Sequence, residues 1–159
     1  MPSPAPTSQV MTFMAVAAAR PRGGISIALP VQPAEVWGDR DRYYLAGTIG
    51  HHAMRGVVVP GDGDPTLELG PTWCRDRRVG PGATVQVSLR PEGPQLDEMA
   101  VDFADAIRAD PGARRFFESL ATFYRKGFVR WVDGAKRPET RARRIEDTVA
   151  ALKAGRQEP

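Results

Sequence analysis

Along the first part of the chain, apolar residues alternate with polar or small ones in short runs broken by Gly and Pro. In the last part they recur at three- and four-residue spacing. The first pattern predicts strands and the second predicts helices. Strands are expected over Val10 to Ala19 and Gly24 to Leu29, joined by a hairpin break at Arg20-Pro21-Arg22-Gly23-Gly24. Pro33 to Trp37 reads as one helical turn with Pro at its start and Gly38 after it. Tyr43 to Ile49 and Met54 to Val59 are rich in aromatic and β-branched residues, with Gly50-His51-His52-Ala53 as the turn between them. Thr66 to Leu69 is a short strand, Pro71 to Val79 a helical turn, and Ala83 to Leu89 an alternating strand. The loop Gly61 to Pro65 carries Asp62 and Asp64 but lacks the Gly and Glu spacing of a calcium loop, so it is read as a turn.

Four helices are expected after the Pro-rich linker. Asp102 is placed as the cap of Phe103 to Ala109, Asp110 with Pro111 as the start of Gly112 to Leu120, and Thr122 as the cap of Phe123 to Val132. Gly134 stops that third helix and Pro138 opens the next, with Glu139 in its first turn, where the helix dipole favours a negative charge. Phe116, Phe117, Phe123, Tyr124, Phe128 and Trp131 are read as helical core. Gly127 within the third helix costs about 1 kcal/mol against Ala, which is read as a sign of close packing. On the last helix Ala142, Ile145, Val149 and Leu152 form the expected buried face. The expected organisation is a loose tail at 1–9, a strand-built domain at 10–90, a linker at 91–97 and a helical domain at 98–155.

Composition narrows the class of function. Apolar residues make up 42% of the chain, enough for a modest core, and the 16 Gly and 15 Pro fit a turn-rich protein of short strands. A net charge of +3 is too small to announce nucleic-acid binding, so any basic patch has to arise by segregation. The single Cys74 excludes an intrachain disulfide and fits a reducing compartment, hence a cytoplasmic location. Met14 to Ala19 lacks the charged lead and long apolar run of an export signal, and no run reaches the length of a membrane span.

Candidate chemistry centres on Trp131 to Leu152. Lys136, Arg141 and Arg144 have no sequence-local acidic partner, and they lie beside a helix start. Two readings stay open there: a solvated basic surface with one or two structural ion pairs, or an anion site built from guanidinium groups and free N–H donors. The candidate ligand-binding set is Trp131, Lys136, Glu139, Arg141 and Arg144, joined by His51 and Arg55 from the first region. His51 and His52 are the only histidines, and without a further Cys or carboxylate signature no metal is expected. No phosphate-binding loop, dinucleotide fingerprint or nucleophile elbow is present, so no cofactor is expected and the catalytic residues are unknown.

The segment Ala135-Lys136-Arg137-Pro138-Glu139-Thr140-Arg141, followed by Arg143-Arg144-Ile145, resembles the signature of the bacterial YdeI/OmpD-associated, or bacteriocin-protection, family. The resemblance covers about Leu96 to Gly155 and carries over no catalytic residue. The first region resembles the small β-barrel of unknown function that commonly precedes that domain. Phe13, Ile25 to Pro30, Gly47-Thr48-Ile49, Arg55-Gly56 and Gly80-Pro81-Gly82 carry this likeness, while Gly50-His51 departs from the family's usual Asn-Gly turn. The resemblance implies an α+β protein: a small closed β-barrel of the double-split, AbrB-like kind, then a bundle of about four short helices. It also implies a non-enzymatic protein, associated with antimicrobial or stress resistance, that binds a small-molecule, anionic or peptide ligand as a monomer or small homo-oligomer. Two alternatives stand beside it: a nucleic-acid-binding module, and an enzyme acting in a cleft between barrel and helices.

Overall fold

A computed structural model describes residues 8–61 and 63–159. Most of the tail expected at 1–9, and Asp62 of the acidic loop, lie outside the described residues. The chain divides into two compact units. The first takes the described residues up to Gly38 together with Tyr43–Pro91, and the second takes Asp39–Arg42 together with Glu92–Pro159.

The first unit is built from seven strands: β1 (Met11–Val16), β2 (Ala18–Ala19), β3 (Ile25–Ala28), β4 (Tyr43–Ile49), β5 (His52–Val58), β6 (Thr66–Leu69) and β7 (Thr84–Pro91). It also holds two short helices, α1 (Pro33–Trp37) and α2 (Pro71–Arg77). One antiparallel sheet has the order β1-β7-β4-β5, and a second has the order β2-β3-β6. Alternation sends one side of each strand inward. Leu45 and Ile49 of β4, Val87 and Leu89 of β7, Ile25 and Ile27 of β3 and Leu67 of β6 are fully buried in one core. Trp37 and Tyr43 complete it, with ring centres 6.2 Å apart. Each polar tip finds a carbonyl: the Trp37 indole donates to Gln9 at 2.6 Å and the Tyr43 hydroxyl to Gly38 at 2.7 Å.

Two features of this unit differ from the sequence reading. Neither sheet closes into a barrel. The ladder of β1 with β7 ends at buried Ala17, whose N–H donates to Ala83 and whose carbonyl accepts from Gly82. Beyond that kink β2 pairs with β3, so hydrogen bonding passes to the other sheet instead of running on around a ring. The same kink shortens the expected hairpin. Only Ala18–Ala19 pairs with Ser26 and Ile25, while Met11 to Val16 pairs with Leu89 to Thr84.

The second unit contains a 3-10 turn (Leu96–Glu98) and four helices: α3 (Val101–Arg108), α4 (Pro111–Glu118), α5 (Thr122–Asp133) and α6 (Pro138–Lys153). The described residues therefore hold six α-helices rather than about four, because α1 and α2 lie among the strands. The core is Leu96, Phe103, Ile107, Phe117, Phe128, Val132 and Leu152. Asp110 caps α4 as expected, accepting from the Ala113 N–H at 2.9 Å. Asp102 lies inside the first turn of α3, because that helix begins at Val101 after an Ala100 cap. Thr122 is likewise no cap: Ala121 holds that position, and the Thr122 hydroxyl donates to the Glu92 carboxylate at 2.6 Å. Among the described residues no helix is long and apolar enough to cross a membrane.

Candidate functional site

α5 and α6 carry most of the residues singled out in the sequence. Pro138 starts α6 without wasting a donor, and the chain between the helices turns through Gly134, whose N–H closes α5 on the Arg130 carbonyl. This turn brings Arg141 and Arg144 back alongside the end of α5. Arg141 is paired with two carboxylates. Its Nε and Nη2 donate to both carboxylate oxygens of Asp102 at 2.7 and 2.8 Å, and its Nη1 donates to Asp133 at 2.9 Å. One guanidinium thus ties the start of α3, the end of α5 and the first turns of α6 in a bidentate-plus-one fork. The hydrogen bonds from Arg141 hold the Asp102 carboxyl well below its ordinary value, at about 2.

Arg144 acts on Trp131. Its guanidinium lies 5.2 Å from the centre of the indole, and its Nη1 donates to the Trp131 carbonyl at 2.8 Å. Trp131 is half-buried under this cover, not enclosed in the core. Lys136 and Glu139 are exposed. His51 and Arg55 belong to the first unit. His51 sits on the turn with its ring 4.3 Å from that of His52, which meets Trp73 edge-on at 6.3 Å. Arg55 is exposed on β5 opposite Ala46. Among the described residues no group of three or more His, Cys, Asp or Glu is placed to hold a metal ion.

Beside Trp131 the outer face of α5 is open. Phe123, Tyr124, Gly127, Arg130 and Trp131 line a groove of about 380 Å³, closed on one side by Gln157, Glu158 and Pro159. Phe123 is 75% exposed and packs edge-on against Tyr124 with ring centres 5.3 Å apart. Gly127 lies one turn from both Phe123 and Trp131. A Cβ added there would meet nothing within 4 Å. Gly127 therefore leaves room on the helix surface and does not mark close packing. Arg130 also borders a second groove of about 510 Å³ with Lys126, Val129, Gly93 and Pro94. The tail reaches α5 through a Schellman turn: the Arg156 N–H bonds the Ala151 carbonyl and the Gly155 N–H bonds Leu152, with Gly155 at φ +75°.

Sequence reasoning missed a second group of residues altogether. Arg40 and Arg125 are both buried, together with Glu118, Glu92 and Gln95. The Arg125 guanidinium donates to the carbonyls of Phe117, Glu92, Pro94 and Glu118 at 3.1, 3.1, 3.0 and 2.6 Å. Arg40 reaches the Glu118 carboxylate at 3.8 Å and the Gln95 amide oxygen at 3.2 Å. Burial, followed by the charge of Arg40, pushes Arg125 down to about 9. One signal was legible: Arg125 falls on the stripe of α5 that also carries Phe128 and Val132, so a cation occupies a core position.

The groove offers aromatic surface, one guanidinium and open volume, while the strongest ion pairs of the unit are spent on joining helices. No curated protein matches the chain. Residues 15–89 match the Domain of unknown function (DUF1905), and residues 98–155 match the family described as Bacteriocin-protection, YdeI or OmpD-Associated. The chain thus joins a segment that matches DUF1905 to a C-terminal segment that matches the YdeI/OmpD-associated, bacteriocin-protection family, in that order.

Proposed function

We propose that this is a non-enzymatic binding protein of the bacteriocin-protection type, serving antimicrobial or stress resistance, and that its ligand seats in the groove on α5. The observation that carries this reading is the space above Gly127 between Phe123, Tyr124 and Trp131. A Gly inside a helix costs about 1 kcal/mol relative to Ala, and here no neighbour demands it. Phe123 beside it is 75% exposed, and its edge-on contact with Tyr124 covers only one side of the ring. Both features suit an apolar or aromatic ligand body lying across the helix. Arg130 at the rim, with Lys126 one turn earlier, favours a ligand that carries a negative charge. The ligand class is therefore a small amphiphilic anion, such as an aromatic carboxylate, or an acidic peptide side chain with an apolar neighbour.

Calorimetric titration with a panel of aromatic carboxylates and short acidic peptides tests this. Gly127→Leu fills the groove and Arg130→Gln removes its cation. Each should weaken binding by about tenfold or more, the scale of one charge-assisted hydrogen bond or one lost apolar contact, while the melting temperature holds for Arg130→Gln and holds or rises for Gly127→Leu. Binding that survives both substitutions unchanged would remove the groove as the site.

A further inference from the structure

The face of α6 expected from periodicity to be buried packs against the core but is only partly covered. Ala142 is exposed, and Ile145 and Val149 are only half-buried. Leu152, the fourth residue of that face, is fully buried, and Thr148 and Ala151 point into the core beside it. Ala142, Ile145, Glu146, Val149, Ala150 and Lys153 form one wall of a shallow groove of about 440 Å³, and Ala106 of α3 and the α4 cap Asp110 border it on the other side. Its middle is made of small and β-branched side chains, which allow another helix to approach closely. Two of its three charges, Glu146 and Lys153, are opposite in sign and stand seven residues apart on the same face of α6.

We propose that this face is a self-association surface, on which α6 packs antiparallel against α6 of a second copy. The charge pattern selects both the partner and the direction. With the two-fold axis between Val149 and Ala150, Glu146 of each copy meets Lys153 of the other, and the small residues lie at the crossing. A parallel pair in register would set Glu146 against Glu146 and Lys153 against Lys153. An isologous contact of this kind needs only one self-complementary patch. Lys153 already pairs with Asp110 at 3.3 Å within its own chain, so in the pair it stands between two carboxylates. The contact is confined to about one helix face and falls at the small end of interface sizes, so association is expected in the range of about 10–100 µM.

Sedimentation velocity of the full chain over about 1–500 µM spans that range. The expected result is a monomer at the lower end and a dimer at the upper end, weakening as salt screens the pairs. Glu146→Lys and Lys153→Glu should each shift the dissociation constant upward by about tenfold or more, and the double reversal E146K/K153E should restore it. Ala150→Arg, which blocks the crossing without touching either charge, should abolish the dimer while circular dichroism shows an intact fold. A wild-type chain that stays monomeric throughout would overturn the proposal. So would a dimer indifferent to both single reversals, or one that the double reversal leaves weak, or one that Ala150→Arg leaves intact.

Discussion

Arg141→Gln is the sharpest test of what the basic signature contributes. The substitution removes three charge-assisted hydrogen bonds, two to Asp102 and one to Asp133. A fall of the Asp102 carboxyl from 3.8 to about 2 would be worth about 2.4 kcal/mol at full strength, at about 1.36 kcal/mol for each tenfold. The Asp102 side chain is 55% exposed and that of Asp133 52%, against 25% for Arg141. Solvent screening at such exposure reduces the contribution to about 1 kcal/mol. Because the folded Asp102 value is depressed, the contribution is fully present above the unfolded value and is lost as pH falls through the folded one. Urea unfolding of wild type and Arg141→Gln should therefore differ by about 1 kcal/mol at neutral pH. The difference should shrink by roughly half near pH 3 and mostly vanish by about pH 2. An equal stability of the two proteins at neutral pH would show that the fork is ornamental. A difference that persists unchanged at the acid end would assign the effect to packing of the Arg141 stem. An added aromatic carboxylate should stabilise Arg141→Gln as much as wild type, since two Asp carboxylates already neutralise the guanidinium.

Arg125→Met should destabilise by about 2–3 kcal/mol, since it removes the guanidinium that four carbonyls share, although Phe117, Glu92 and Glu118 each keep a second donor and Glu118 stays paired with Arg40 and Arg114; a loss below about 1 kcal/mol in urea would mean that water replaces the guanidinium. Thr148→Val should raise stability by about 1 kcal/mol, because the Thr148 hydroxyl is fully buried with no hydrogen-bond partner among the described residues. A lower melting temperature for that variant would point to an ordered water bound there.

Much of the local structure was legible because local chemistry decides it. The helical turn Pro33–Trp37 and the strands Tyr43–Ile49 and Thr66–Leu69 occur where the residue pattern placed them, and α6 starts at Pro138. Proline at a first helical position, Asp110 as a cap and β-branched alternation act within a few residues. The signature segment likewise pointed to the C-terminal family domain, because its dense run of charged and turn residues is a one-dimensional feature. What adjacent residues cannot decide is which strand or helix face finds which partner. β1 reads as half of a hairpin, yet it pairs with β7 because the chain kinks at Ala17. α6 buries Thr148 and Ala151 beside Leu152 and leaves Ala142 exposed, while the guanidinium heads of Arg141 and Arg144 reach Asp102, Asp133 and Trp131. Phe123 and Phe128 have the same chemistry and lie on one helix, but only Phe128 has a second layer of helix over it. Burial and exposure of like residues are settled by what packs on top of them, and that information is spread over residues far apart in the chain.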